Sequence, residues 1–234
     1  MSRLRAAPLV VVFHALDLEA ARVRAPGWTE VRCRPEELSA PDRPTLAWVR
    51  TGMGIDAARR TVGAIPDIAI EAAVCTGFAG ALAHDLAARR LVVADPLLDA
   101  AGKAHETPLA DSLARAARRA NLDCTRGALV TVPHVADTPE EKARLRDALG
   151  ALAVDMESAA LAAALAERGI PAAAARVVLD TAAEEVPASL GALLRRPGLL
   201  VSSARIVARM RPCARISARL LEAWLTHELP AAER

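Results

Sequence analysis

At 234 residues, 53% of them hydrophobic and 25% charged, the chain can bury a sizeable core and still dissolve. A net charge of +2 is too small for a general nucleic-acid binder, so no nucleic-acid partner is expected. Four widely spaced cysteines with no CxxC pair, and histidines with no HExxH spacing, argue against a zinc site or any other metal.

The apolar stretch in MSRLRAAPLVVVF is too short for a signal peptide or a membrane span, and a cytoplasmic location is expected. LVVVF (9–13) reads as a first strand, and LDLEAARVRA as a helix after it. TLAWVR (45–50) reads as a second strand, closed by Gly52 and Gly54, with IDAARRTVGAI as its helix. AAVCTG (72–77) is a buried strand ending in a glycine turn, and RLVVAD (90–95) is another. ALVTV (128–132) and AAAARVVLD (172–180) follow, with helical patterns at 139–149 and 156–168. This alternation predicts an α/β fold with a largely parallel or mixed central sheet, in one domain over residues 1–234. In such folds ligands bind at the carboxyl ends of strands. There the unusual residues collect: Glu19, Gly52–Gly54, Gly77–Gly80, the segment around Asp137, and Asp180.

The most informative stretch is AVDMESAALAAALAERGIPAAAARVVLD (153–180). Asp155 and Glu157 bracket Met156 where an apolar run turns into a helix. Acids there either complement the helix dipole or reach into a pocket and accept hydrogen bonds from vicinal hydroxyls. Asp180 ends a strand, where an acid is either the cap of the next helix or a chemical group. Arg176, four residues earlier in an apolar strand, requires an acidic partner. That partner makes either a structural ion pair or part of a pocket.

Together these features resemble the nucleoside phosphorylase/nucleosidase superfamily. The family's V-E/D-M-E segment matches Val154-Asp155-Met156-Glu157, and its R-x-x-S-D matches Arg176 to Asp180. Its T-G-x-A-G-G strand end matches Thr76-Gly77-Phe78-Ala79-Gly80-Ala81. Its G-x-G turn matches Gly52-Met53-Gly54, and its acidic turn after the first strand matches Ala15 to Glu19. The matches run in family order across residues 9 to about 185. Departures are Leu179 and Phe78, where many members have Ser, and VPHVADTPEEK in place of S-G-D-x-F. These leave the details of base recognition open.

The resemblance implies a three-layer α/β/α fold with a twisted mixed sheet, and cleavage of the N-glycosidic bond of a purine nucleoside. Asp180 would be the general acid toward N7 of the base, and Glu19 would orient or deprotonate the attacking water. Glu157 would hold the ribose 2′ and 3′ hydroxyls, with Met156 on the sugar face and Arg176 at the sugar end. Phe78, with Gly77 and Ala79 beside it, and Val135 would border the base, and Gly54 belongs to the substrate-binding set. No cofactor is implied. The absence of an obvious phosphate cradle favours water as acceptor over phosphate as co-substrate. A homodimer is expected.

Val154-Asp155-Met156-Glu157-Ser158, with Ala183 to Pro187, further resembles the hopanoid-associated phosphorylases, which implies adenosylhopane as substrate, a lipid-linked nucleoside. Methylthioadenosine, S-adenosylhomocysteine and futalosine nucleosidases are the alternatives within the class, and a non-catalytic purine sensor is one outside it. A dinucleotide-binding oxidoreductase is disfavoured, because HALDLE stands where G-x-G-x-x-G would follow the first strand.

Between Val186 and Leu221 the sequence has no Asp or Glu but seven arginines: Arg195, Arg196, Arg205, Arg209, Arg211, Arg215 and Arg219. Apolar residues at helical spacing predict basic amphipathic helices interrupted at Pro197 and Pro212. Either these pack on the sheet with arginines in water, or residues 195–219 dock peripherally on an anionic membrane surface, at the inner membrane face.

Overall fold

The computed structural model describes residues 7–186 and 199–229. The chain opens with β1 (Leu9–His14), β2 (Thr29–Cys33), β3 (Thr45–Arg50) and helix α1 (Ile55–Gly63). Strands β4 (Ala72–Ala81), β5 (Leu91–Leu98) and β6 (Ala104–His105) precede α2 (Ala110–Arg119). Then come β7 (Cys124–Thr131), α3 (Pro139–Leu149), β8 (Ala153–Asp155), α4 (Ser158–Glu167) and β9 (Ala172–Asp180). The long helix α5 (Leu199–His227) ends the described chain.

The strands form one mixed sheet. β2, β3, β1 and β4 lie side by side in parallel, and β9 continues this arrangement beyond β4. β9 pairs antiparallel with β5, β5 parallel with β7, β7 parallel with β8, and β8 antiparallel with the end of β4. The sheet therefore curls until β4, β9, β5, β7 and β8 close on one another. Every residue of β1 and β9 is buried, as expected of strands covered on both faces. Leu9, Val11 and Phe13 face the layer containing α1 and α4. Val10 and Val12 face the layer containing α2 and α5, along with Trp48 and Trp224. The three-layer α/β/α arrangement expected from the sequence is the one observed.

Two local expectations are corrected. LDLEAARVRA forms no helix; Asp17–Glu19 make one 3₁₀ turn and the chain then runs irregularly to β2. The Glu19 carboxylate accepts the N–H groups of Ala15 and Leu16, which turns the backbone back on itself instead of into a helix. Second, Pro212 does not interrupt the C-terminal helix, which passes straight through it. A helical proline costs about 3 kcal/mol and leaves the carbonyl four residues earlier unbonded. That residue is Ala208, which is exposed, so water can satisfy it. Burial of Cys213, Leu220, Leu221, Trp224 and Leu225 against the sheet and α2 offsets the cost. Pro197, Arg195 and Arg196 lie outside the described residues.

Candidate active site

A cleft of about 740 Å³ opens at the carboxyl ends of β1, β4 and β9. Its lining includes Glu19, Phe78, Ala79, Val135, Met156, Glu157 and Asp180. Seven of the ten residues expected at the site thus share one cavity, although they come from segments up to 161 residues apart. Arg176, Gly77 and Gly54 do not line it. Arg176 and Gly54 hold the carboxylates from behind, and Gly77 leaves room for them.

One charged group centres on Arg176, which is 1% exposed. Its guanidinium donates to the Thr76 carbonyl at 2.7 Å and to Ser158 Oγ at 3.0 Å. It also pairs with Asp155 at 2.8 Å and Glu157 at 3.5 Å. The two acids of the D-x-E therefore divide the work. Asp155 takes the capping role, accepting the Ser158 N–H at the start of α4, and also accepts the Thr131 hydroxyl at 2.6 Å. Glu157 turns away from the helix end, takes the Gly54 N–H on Oε1 at 2.8 Å, and reaches the cleft. Burial pushes the Glu157 carboxyl up to about 7, with Asp155 adding to the rise and Arg176 opposing it. A second carboxylate in the cleft wall, that of Glu19, accepts the Phe78 N–H on Oε1 at 3.0 Å while Oε2 holds Ala15 and Leu16.

Gly77 makes this close approach possible. Its φ is +129°, and a Cβ there would lie 2.6 Å from the Glu19 carboxylate and 2.7 Å from Arg176 Nη1. Only glycine allows β4 to pass between the two side chains.

The opposite wall carries Asp180, whose Oδ2 accepts a hydrogen bond from Lys142 Nζ at 2.5 Å. Lys142, on α3, is completely buried. Burial raises the Asp180 carboxyl above its usual range, and the Lys142 cation pulls against that rise.

Sequence reasoning missed Lys142, Thr131 and Met210, the last of which brings α5 to the cleft. One signal for Lys142 was present: it is one of only two lysines in a chain that otherwise uses arginine. Among the described residues no group of three or more His, Cys, Asp or Glu is placed to hold a metal ion.

The profile of the Phosphorylase superfamily matches residues 37–203. The chain belongs to that superfamily. Solved structures share its fold. One is 5′-methylthioadenosine/S-adenosylhomocysteine nucleosidase from Helicobacter pylori with butyl-thio-DADMe-Immucillin-A, at 17% identity and TM-score 0.72, covering 94% of this chain and 98% of that one. Futalosine hydrolase of the same organism matches at 17% identity and TM-score 0.71, with the same coverage. S-adenosylhomocysteine nucleosidase from Streptococcus pyogenes, in complex with 5-methylthiotubericidin, matches at 21% identity and TM-score 0.72, covering 98% of this chain and all of that one. No curated protein matches the sequence.

Proposed function

We propose that the chain cleaves the N-glycosidic bond of a purine nucleoside, with Asp180 as general acid and Glu157 as the ribose clamp. The observation that carries this reading is the pairing of two unlike carboxyl sites in one cleft. Asp180 is raised by burial against the pull of Lys142 and Arg209, as an acid that must hold a proton requires. Glu157 is held by a backbone N–H and an arginine, as a group accepting two sugar hydroxyls requires. Glu19 is fixed by three N–H donors and borders the same space, which suits a group that orients water. Phe78, Ala79 and Val135 would border the base and Met156 the sugar. Superfamily membership and the shared fold support this assignment. The deciding experiment is product analysis: adenosine-type nucleosides incubated with and without phosphate, with free base, ribose and ribose 1-phosphate measured. No base release from any purine nucleoside, alongside tight purine binding, would favour the sensor reading instead.

The finer reading is a nucleoside with a large apolar 5′ substituent, of the adenosylhopane type. Three of the chain's four methionines, Met53, Met156 and Met210, line the cleft with Leu16, Leu179 and Val186. Such apolar walls, with adaptable unbranched methionines among them, suit a bulky hydrocarbon. Methylthioadenosine, S-adenosylhomocysteine and futalosine are the competing substrates, and the same assay ranks them. Peripheral contact with an anionic membrane fits such a substrate. Arg205, Arg211, Arg215 and Arg219 are exposed along α5, beside Val207 at 61% exposure. Arg209 leaves that set, because it pairs with Glu184. No helix among the described residues is long and apolar enough to cross a membrane. Salt-sensitive sedimentation with anionic, but not neutral, liposomes tests the contact. A homodimer with one domain per chain completes this proposal, and sedimentation velocity tests it.

A further inference from the structure

The nucleosidase reading uses Asp180 but gives no role to the fully buried lysine that touches it. Lys142 projects from α3, whose first turn is capped by the Thr138 hydroxyl accepting the Glu141 N–H. Its Nζ meets three acceptors: Asp180 Oδ2 at 2.5 Å, the Thr181 carbonyl at 2.9 Å and the Glu184 carbonyl at 2.8 Å. A lysine ammonium has three N–H donors, and all three are used. The segment it grips, 181–184, is held from the other side as well. The Glu184 carboxylate accepts the Thr181 N–H and a two-pronged contact from Arg209 on α5, at 2.7 and 2.9 Å. Arg209 also donates to the Leu179 carbonyl. Two helices thus fix the backbone on both sides of Asp180. Asp180 Oδ1 accepts no hydrogen bond among the described residues, while Asp180 itself lines the cleft.

Resting on the assignment of Asp180 as general acid, we propose that Lys142 is its positioning residue, occupying Oδ2 so that Oδ1 alone carries the proton to the leaving base. The step balances as follows. The Oδ1–H bond breaks as the purine nitrogen gains that proton, and the C1′–N bond breaks with its electron pair going to the purine. Water bonds to C1′ and gives its proton to the Glu19 carboxylate, which passes it to solvent as Asp180 regains one after the purine leaves. Asp180 becomes a carboxylate, and its new negative charge forms already paired with the Lys142 ammonium. A group that stabilises charge appearing only during reaction accelerates the chemical step without tightening substrate binding. The charged groups facing Asp180 are Lys142 from α3, Glu184 from the following turn and Arg209 from α5; β4 and β8 present Gly80 and Val154 near it.

Lys142→Met keeps an unbranched stem of nearly the same length and removes the charge, and Lys142→Gln serves if the methionine variant does not fold. Two readouts are combined. Carboxyl ¹³C NMR, with the Asp180 signal assigned by Asp180→Asn, follows the acid directly. Its midpoint should rise by about one pH unit or more when the cation is removed. In kinetics with a purine nucleoside, the alkaline limb of kcat should move up with that midpoint. The plateau kcat should fall by about 10-fold or more while KM changes little. An unmoved midpoint in a folded variant, or a loss confined to KM, overturns the proposal. If the wild-type chain releases no base, the nucleosidase reading and the catalytic role of Lys142 fall together. The NMR midpoint still decides separately whether Lys142 controls Asp180.

Discussion

Replacing Glu157 by Gln should make the protein more stable at alkaline pH and less active. In the folded chain the Glu157 carboxyl lies at about 7, raised from an ordinary 4.5 mainly by burial. A carboxyl raised on folding binds more protons in the native than in the unfolded state between those two values. Stability from this group is therefore fully present below pH 4.5, falls as pH rises, and is lost above pH 7. A rise of about two and a half units corresponds to roughly 3 kcal/mol. Glutamine stays neutral, so it escapes the penalty, and its side-chain oxygen can still accept the Gly54 N–H. The pull of Arg176 is already contained in the value of about 7, and Arg176 keeps Asp155, Ser158 and Thr76. The net gain at pH 8 is about 3 kcal/mol, or about 6–12 °C in Tm for a chain of this size. Below pH 4.5, where both side chains are neutral, the two proteins should melt together. Thermal melts from pH 4 to 9 measure this. A Glu157→Gln protein that melts below wild type at pH 8, or by a gap that does not change with pH, refutes the argument. The same substitution should raise KM and lower kcat toward ribosides, because the clamp tightens as the sugar gains positive charge.

Asp180→Asn should still fold, with reduced stability because buried Lys142 loses its counter-charge, and lose about 10²- to 10⁴-fold in kcat for base release, since an amide has no acidic proton to give; near-full turnover would remove Asp180 from the acid role. Gly77→Ala should destabilise the fold by about 3 kcal/mol or more, because the new methyl meets Glu19 and Arg176 at a backbone angle hostile to L-residues. Chemical denaturation reads this directly, and a loss under about 1 kcal/mol would mean that the two side chains yield. Base release should proceed in phosphate-free buffer and give free ribose or its 5′-substituted form. Strict dependence on phosphate would reassign the acceptor and the role of Glu19.

The sheet was legible because strands buried on both faces write themselves as unbroken apolar runs, as in LVVVF and AAAARVVLD. The acids were legible because Glu157 and Asp180 sit where an apolar run ends. What the sequence did not disclose were decisions made by tertiary contact. LDLEAARVRA has the composition of a helix, yet two backbone N–H groups captured by its own Glu19 outweigh that propensity. Pro212 is a helix breaker by local rule, but a long apolar face packed on the sheet overrides it. Strand β6, with two residues, and β8, with three, are too short to show a period. Lys142 lies in PEEKARLRD, where every neighbouring charge reads as solvated surface, and only the meeting of α3 with the end of β9 buries it.

The cleft joins two charge systems that the fold keeps apart by different means. On the side proposed for the sugar, Arg176 pairs with Asp155 and Glu157, with Gly77 as the passage between arginine and Glu19. On the side proposed for the base, Lys142 meets Asp180. Both cations are buried and neither lines the cavity, so each acts on a carboxylate without competing for substrate. The arginine faces two acids and therefore leaves negative charge on the side proposed for the sugar, where a cation would develop during cleavage. The lysine faces one acid, which burial inclines toward its neutral, proton-bearing form. Exchanging these ratios would invert the chemistry: a second acid beside Lys142 would favour a lasting proton on Asp180, and loss of Asp155 would deprive the sugar side of its excess charge. Asp155→Asn should accordingly draw the Glu157 carboxyl down from about 7, since Asp155 contributes to its rise. The acid limb of kcat/KM should then move to lower pH. A limb that stays in place would show that Glu157 does not titrate in the reaction.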